Sequence, residues 1–195
     1  MPNDTATILP GRNAAGARFV GRPADRSHSM DHRHRRVSTA RFVNAMRGAA
    51  TGVNIVTTDG TAGRYGITVS AFSSVSAEPP MLLVCINRRS PVCDALATNR
   101  CFTVNVLSTL HESLANTFAG KADAGAPYDF GAACWKESAT GAPMLAGSVA
   151  GFDCTLTGTL DAGTHRIFIG TVVEVATAAS DPLLYSNRMY GRVSR

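Results

Sequence analysis

No long hydrophobic run occurs in this sequence of 195 residues: the longest, Met81-Leu-Leu-Val-Cys-Ile86, has six. A membrane-spanning helix needs about 20, so none is expected. Charge is sparse at 17%, while apolar residues reach 45%, with eighteen glycines and nine prolines. That balance excludes collagen-like, coiled-coil and wholly disordered chains, and the length suits about one domain. The five cysteines, at 85, 93, 101, 134 and 154, form no Cys-x-x-Cys pair, and several lie inside apolar runs. Reduced, mostly buried thiols in a cytoplasmic protein fit this pattern better than a disulfide scaffold. Signatures of phosphate-binding loops, dinucleotide-binding turns, zinc proteases and serine hydrolases are missing, as are the clustered carboxylates of glycosidases and two-metal sites.

The positive charge is unevenly spread. Residues 1–36 carry seven arginines against three aspartates, whereas the other 159 residues hold twelve basic against eleven acidic side chains. The excess therefore belongs to a tail without helical or strand periodicity, read here as disordered, and nucleic acid is not the expected partner. The tail has no basic start followed by an apolar stretch, so it does not read as a secretory signal. His32 and His34 lie two apart without cysteine or carboxylate support, a weak basis for a metal site, and none is expected.

Order is expected over 37–195. Ser38 is a candidate N-cap for a helix whose apolar stripe is Phe42, Val43 and Met46. Strand patterns follow at 52–58, 65–72, 81–87 and 101–106. Proline at position 91 suits the first position of a helix running to about 98. Thr109-Leu-His-Glu112 has the form of a capping box and predicts a helix from there to about 119. Residues 121–147 read as loop with a short strand at Trp135. Two longer strands, 148–160 and 165–176, are joined by Asp161-Ala-Gly-Thr164, a hairpin signal. Six or seven strands with three short helices, lacking regular strand–helix alternation, predict an α+β, mainly antiparallel, barrel-like domain.

Three segments carry candidate chemistry. Thr68-Val-Ser-Ala-Phe-Ser-Ser-Val-Ser-Ala-Glu-Pro-Pro80 is dense in small hydroxyl side chains that let a flat polar ring approach the backbone, although an edge strand without any ligand has the same composition. Cys85-Ile-Asn-Arg-Arg-Ser-Pro91 leads a strand into a helix, where free amides and the helix dipole favour an anion. A capped helix with two solvated arginines reads the same way. Gly163-Thr-His-Arg-Ile-Phe-Ile-Gly170 brings a lone histidine into a strand after a turn, and such a histidine is more often structural than functional.

Together these segments resemble the flavin reductase components of two-component monooxygenases, a family built on an FMN-binding split β-barrel. The resemblance runs from about Arg41 to Arg192. It is carried in order by Thr51-Gly-Val-Asn-Ile-Val-Thr-Thr58, Gly66-Ile-Thr-Val-Ser-Ala-Phe-Ser-Ser-Val-Ser76 with Glu78-Pro-Pro80, and Cys85-Ile-Asn-Arg-Arg-Ser90. Phe102-Thr-Val-Asn-Val-Leu107, Gly163-Thr-His165 and Tyr185-Ser-Asn-Arg-Met-Tyr190 complete it.

The resemblance implies a homodimeric NAD(P)H:flavin oxidoreductase using FMN or FAD. It implies that Thr68, Val69, Ser70, Ala71, Phe72, Ser74 and Val75 lie along the isoalloxazine and ribityl chain. Asn87 and Ser90 would hold phosphate, with the Cys85 backbone nearby and Phe102 and Thr103 lining the far side. His165 and Tyr190 would position the nicotinamide of NADH, with NADPH the other candidate. No side chain is expected to act as acid or base, because hydride passes from cofactor to cofactor. Reduced flavin would leave for a separate oxygenase. The rival readings are a split-barrel oxidase, a reductase of another acceptor, and a non-catalytic flavin or haem carrier.

Overall fold

The structure is a computed structural model that describes residues 36–123 and 125–194. The expected disordered tail and the histidine pair at 32 and 34 fall, Arg36 apart, outside the described residues.

Helix α1 (Thr39–Met46) begins where the cap pattern predicts, with the Ser38 hydroxyl accepting from the Arg41 amide at 3.3 Å. None of its residues is buried, and Phe42, Val43 and Met46 stay exposed. The short β1 (Thr51–Gly52) leads into β2 (Asn54–Thr58), which is buried along its whole length. Its alternation serves two cores, since Val56 joins one apolar cluster while Val53 and Ile55 join another. Strands β3 (Tyr65–Val69), β4 (Phe72–Ala77), β5 (Pro80–Asn87), β6 (Cys101–Val106), β9 (Ala150–Ala162) and β10 (His165–Thr177) complete an antiparallel sheet with β2. Its order is β3-β2-β6-β9-β10-β5-β4.

Seven strands laid flat would hold their edges about 29 Å apart at roughly 4.8 Å per step. Yet Ile67 and Val69 from one edge and Phe72 from the other pack against the same cluster. The sheet therefore curls, enclosing Val84, Ile86, Phe102, Val104, Leu156 and Phe168, and α2 (Pro91–Asn99) covers this cluster with Val92 and Leu96. Gly170 permits the tight curl: a Cβ there would lie 2.7 Å from the Phe102 ring and 2.8 Å from Cys154 Cβ. Truncating Phe102 to alanine removes a fully buried ring from this cluster, at a cost of about 3–5 kcal/mol.

The architecture is the α+β, mainly antiparallel one expected, and four local boundaries differ. First, the strand read over 65–72 breaks at Ser70-Ala71, where the chain leaves one sheet edge for the other. The Phe72 amide turns back to the Ser70 carbonyl at 3.1 Å, and the Cys85 amide reaches the Ala71 carbonyl at 3.1 Å. Second, the cap expected at Thr109 sits one residue earlier. The Ser108 amide donates to His111 Nδ1 at 3.2 Å across a 3-10 turn, Thr109–His111, and α3 (Glu112–Phe118) follows it. Third, the short strand read at Trp135 is β7 (Trp135–Glu137), but it pairs with a further strand in the 121–147 loop, β8 (Pro143–Leu145), to form a two-stranded ribbon. Buried Asn105 holds it to the sheet by accepting from the Leu145 amide at 2.7 Å. Fourth, the C-terminal segment forms a hairpin, β11 (Leu184–Ser186) and β12 (Met189–Gly191), whose first strand pairs with β1.

The thiol pattern is largely the expected one. Cys93, Cys101 and Cys154 are buried, Cys85 is half-buried, Cys134 is exposed and all are free. Burial, with the Asp153 carboxylate nearby, pushes the Cys154 thiol up to about 12.

Candidate functional site

The break after β3 creates a groove of about 310 Å³, walled by Thr68 and Ser70, by the end of α3, and by the β11–β12 hairpin. Three of its polar side chains are already engaged. The Thr68 hydroxyl donates to the Ala115 carbonyl at 2.8 Å, fixing β3 to α3. The Tyr190 hydroxyl donates to Asn116 Oδ1 at 2.9 Å, and the Asn116 amide donates to both oxygens of Asp123 at 3.1 and 3.2 Å. Tyr185 stands edge-on to Tyr190, with centroids 5.3 Å apart. Burial, then the neighbouring Tyr185, Glu112 and Asp123, raises the Tyr190 phenol above its ordinary value, so it stays neutral at physiological pH. Ser70, Lys121 and Arg188 also face the groove, and their side chains have no hydrogen bond or ion pair with any described residue.

A second polar surface lies at the turn from β5 into α2. The Asn87 side chain accepts from the Arg89 amide at 2.9 Å, and the Asn87 carbonyl accepts from the Ser90 amide at 2.9 Å. Asn87, Arg88, Arg89, Gly163 and Thr164 line an open cleft of about 430 Å³. The Arg88 amide reaches the Thr164 carbonyl at 3.0 Å, tying this turn to the hairpin that carries His165. His165 pairs in register with Asn87, is exposed, and shares a 2.9 Å hydrogen bond with the Thr164 hydroxyl through Nδ1. Arg166 makes a two-pronged contact with Asp161 at 2.6 and 3.2 Å, and Arg88 approaches the same carboxylate at 3.6 Å. The hydrogen bond from Arg166 holds the Asp161 carboxyl below its ordinary range.

Ser90 caps α2 by accepting from the Val92 amide at 3.4 Å. It opens onto a third cleft of about 300 Å³, lined also by Tyr65, Tyr128 and Phe130. Arg64 lies over the Phe130 ring at 5.7 Å while bonded to Asp59 at 2.7 Å. Among the described residues no cluster of histidine, cysteine, aspartate and glutamate could hold a metal ion.

The residues named from sequence thus divide. Thr68, Ser70 and Tyr190 share the first groove. Asn87 and His165 share the β5–α2 corner, and Ser90 lies just beyond it. Ala71, Ser74 and Val75 are exposed along the β3–β4 corner and β4, while Val69, Phe72 and Cys85 are half-buried. Phe102 and Thr103 are placed differently from the expectation that they line a flavin groove. Both are fully buried, Phe102 beneath Gly170 and Thr103 donating to buried Asp153 at 3.3 Å, so neither reaches a cleft of this chain. His165 and Tyr190, expected to act on one nicotinamide, are placed apart in the single chain: Tyr190 lines the first groove, whereas His165 stands exposed beside Asn87. Lys121 and Asn116 escaped the sequence reading; Asn116 sits on α3 and Lys121 in the loop-like segment after it, and Arg188 joins them from a hairpin whose strands are three residues long.

The flavin reductase like domain family matches residues 46–194. An FMN reductase (NADH) RutF of Bradyrhizobium diazoefficiens is 44% identical over 165 residues, covering 84% of this chain and 91% of its own. Among solved structures, BorF, the flavin reductase component of a bacterial two-component tryptophan halogenase, is 29% identical. It superposes with a TM-score of 0.72 over 81% of this chain and 99% of its own. The NADH:FAD oxidoreductase SgcE6 of Streptomyces globisporus, solved with NAD and FAD fragments, is also 29% identical, with a TM-score of 0.72 over 80% of this chain and 92% of its own. With the antiparallel curled sheet and the grooves at its edges, these matches identify the chain as a member of the flavin reductase like domain family.

Proposed function

We propose that this chain transfers hydride from NADH to FMN or FAD and releases reduced flavin to a separate oxygenase component. The observation that carries the reading is the edge built by 68–75. There, Ser70 and Ser74 present hydroxyls with no partner among the described residues, and Ser70 lines a groove together with Tyr185 and Tyr190. A cavity near 300 Å³ with a few convergent polar groups is the usual form of a small-molecule site. It suits one end of a flavin, the remainder extending along the surface. Bound flavin supplies the two-electron acceptor chemistry, and the chain supplies binding, orientation and exclusion of water.

Residues 68–75 would lie along the ring and its ribityl chain. Asn87 and Ser90, beside Arg88 and Arg89, would take the flavin phosphate, where amides at the start of α2 add to the field. His165, on the strand next to Asn87, would orient the nicotinamide from the exposed face. The Tyr190 hydroxyl donates a hydrogen bond to Asn116 Oδ1 and remains neutral, which suits a ring that stacks rather than one that transfers protons. A homodimer accounts for the separation of His165 from Tyr190, because a second copy would bring its groove to this one. Val75, Leu160, Val173 and Val175, each about half exposed on β4, β9 and β10, support that contact. Unpaired thiols, four of them at least half-buried, fit the reducing cytoplasm.

The test is a steady-state matrix of NADH and NADPH against riboflavin, FMN and FAD. Consumption of NADH that depends on added FMN or FAD is expected. Flavin binding without NADH oxidation above background would show a carrier instead and overturn the reading.

A further inference from the structure

The groove beside Tyr185 and Tyr190 holds more positive charge than its own structure consumes. Lys121 lies three residues beyond the end of α3, its amide anchored to the Asn116 carbonyl at 2.8 Å. Arg188 comes from the other side in sequence, at the tip of the β11–β12 hairpin. Asn187 and Arg188 take φ values of 50° and 65°, two consecutive left-handed residues in a turn where the second position favours glycine. An arginine held in that conformation, with its side chain on a cavity wall, is a strained placement of the kind found at binding sites. The nearby acids form no ion pair with Lys121 or Arg188. Both Asp123 oxygens accept from Asn116, and neither Lys121 nor Arg188 forms an ion pair with any described residue. The C-terminus of α3 would account for Lys121 alone, but not for Arg188 facing the same space.

We propose that Lys121 and Arg188 form a two-cation clamp for a phosphate ester or pyrophosphate, carried by the dinucleotide hydride donor or by the flavin. The inference rests on the flavin reductase reading and adds a second anion site, apart from the Asn87–Ser90 turn. The guanidinium offers a fork of donors that matches two phosphate oxygens, and the ammonium serves as a point charge beside it. The tyrosine pair lining the same groove offers an apolar face for a ring attached to that phosphate.

The experiment uses the full chain with Lys121→Gln, Arg188→Asn and the double variant; asparagine tolerates the left-handed turn, so the hairpin is preserved. Melting temperature is recorded for each. Two donors are compared, NADH and the phosphate-free 1-benzyl-1,4-dihydronicotinamide, and two acceptors, FMN and riboflavin. A clamp on the dinucleotide raises KM for NADH about tenfold per substitution, with a much smaller change for the benzyl donor. A clamp on the flavin instead raises KM for FMN with a much smaller change for riboflavin. Either pattern supports the proposal and names the source. Equal losses with phosphate-bearing and phosphate-free ligands, or no loss with any, overturn it. Equilibrium binding of FMN and riboflavin by flavin fluorescence, together with NADH binding by the same variants, gives the comparison without turnover. If the parent chain reduces no flavin, the functional reading fails while the clamp is still decided by binding.

Discussion

Two polar surfaces of this chain treat charge in opposite ways. At the β5–α2 corner, Arg88 and Arg166 share the Asp161 carboxylate, and the short side chains of Asn87 and Ser90 accept from backbone amides. In the groove at the end of β3, the engaged groups are neutral ones, Thr68 to Ala115 and Tyr190 to Asn116, while the Lys121 and Arg188 side chains have no partner among the described residues. The first surface is organised before any ligand arrives, whereas the second holds a rigid frame around uncompensated charge. A cleft can thus be fitted for an anion through ordered backbone or through spare cations.

The largest effect expected from breaking this contrast is at Ser90. Aspartate is as good an N-cap as serine, so Ser90→Asp keeps α2 intact while placing a negative charge where flavin phosphate is proposed to sit. KM for FMN is expected to rise by the equivalent of about 1–3 kcal/mol, with little change for riboflavin. Equal losses for both flavins would move the phosphate away from this corner.

His165→Asn is next. His165 is exposed and its side chain bonds only Thr164 among the described residues, so the melting temperature should stay near that of the parent. Hydride transfer is expected to slow by roughly ten- to hundredfold, about 1.4–2.7 kcal/mol, a modest loss because no proton transfer disappears. Unchanged kcat/KM for NADH would make His165 a turn residue only.

The same contrast explains what the sequence discloses. The ladder of β-branched residues at 54–58 and the paired runs at 150–177 announce their strands by period alone, because burial on a pleated sheet demands it. The β5–α2 corner is equally legible, since Ser-Pro at a helix start has a local cause. The groove is not, because its parts come from β3, from the end of α3 and the short segment after it, and from a hairpin, brought together only by tertiary folding. The break at Ser70-Ala71 is hidden for a related reason: its residues suit a strand, and only sheet closure requires the chain to turn there. Phe102 shows the reverse case. Its motif resembles that of a ligand-facing strand, yet the missing side chain of Gly170 draws the ring into the core.

Tyr190→Phe probes the frame of the groove more gently. The ring and its contact with Tyr185 remain, but Asn116 loses the donor at 2.9 Å. A loss of about 0.5–1.5 kcal/mol in stability is expected, read by denaturant midpoint at constant slope. Because the phenol is neutral across the working range, its removal should leave the pH profile of NADH oxidation unshifted. A displaced alkaline limb would show that the hydroxyl takes part in proton transfer.

The smallest effect concerns Asp161, and it tests whether compensation is what separates the two surfaces. The hydrogen bond from Arg166 keeps the Asp161 pKa lower in the folded chain than in the unfolded one, so its charged form favours folding. That contribution is present above the ordinary carboxylate range and drains away as pH falls through the depressed folded value. Asp161→Asn should therefore be slightly less stable than the parent at neutral pH, with the difference vanishing in strong acid. The pair is exposed, so the gap should also shrink in salt. Meanwhile Arg88 and Arg166 become spare cations, as Lys121 and Arg188 already are. KM for FMN should then fall by no more than about twofold at low ionic strength, with riboflavin unaffected. A rise in KM for FMN would mean that Asp161 holds the arginines in place for the phosphate rather than offsetting their charge.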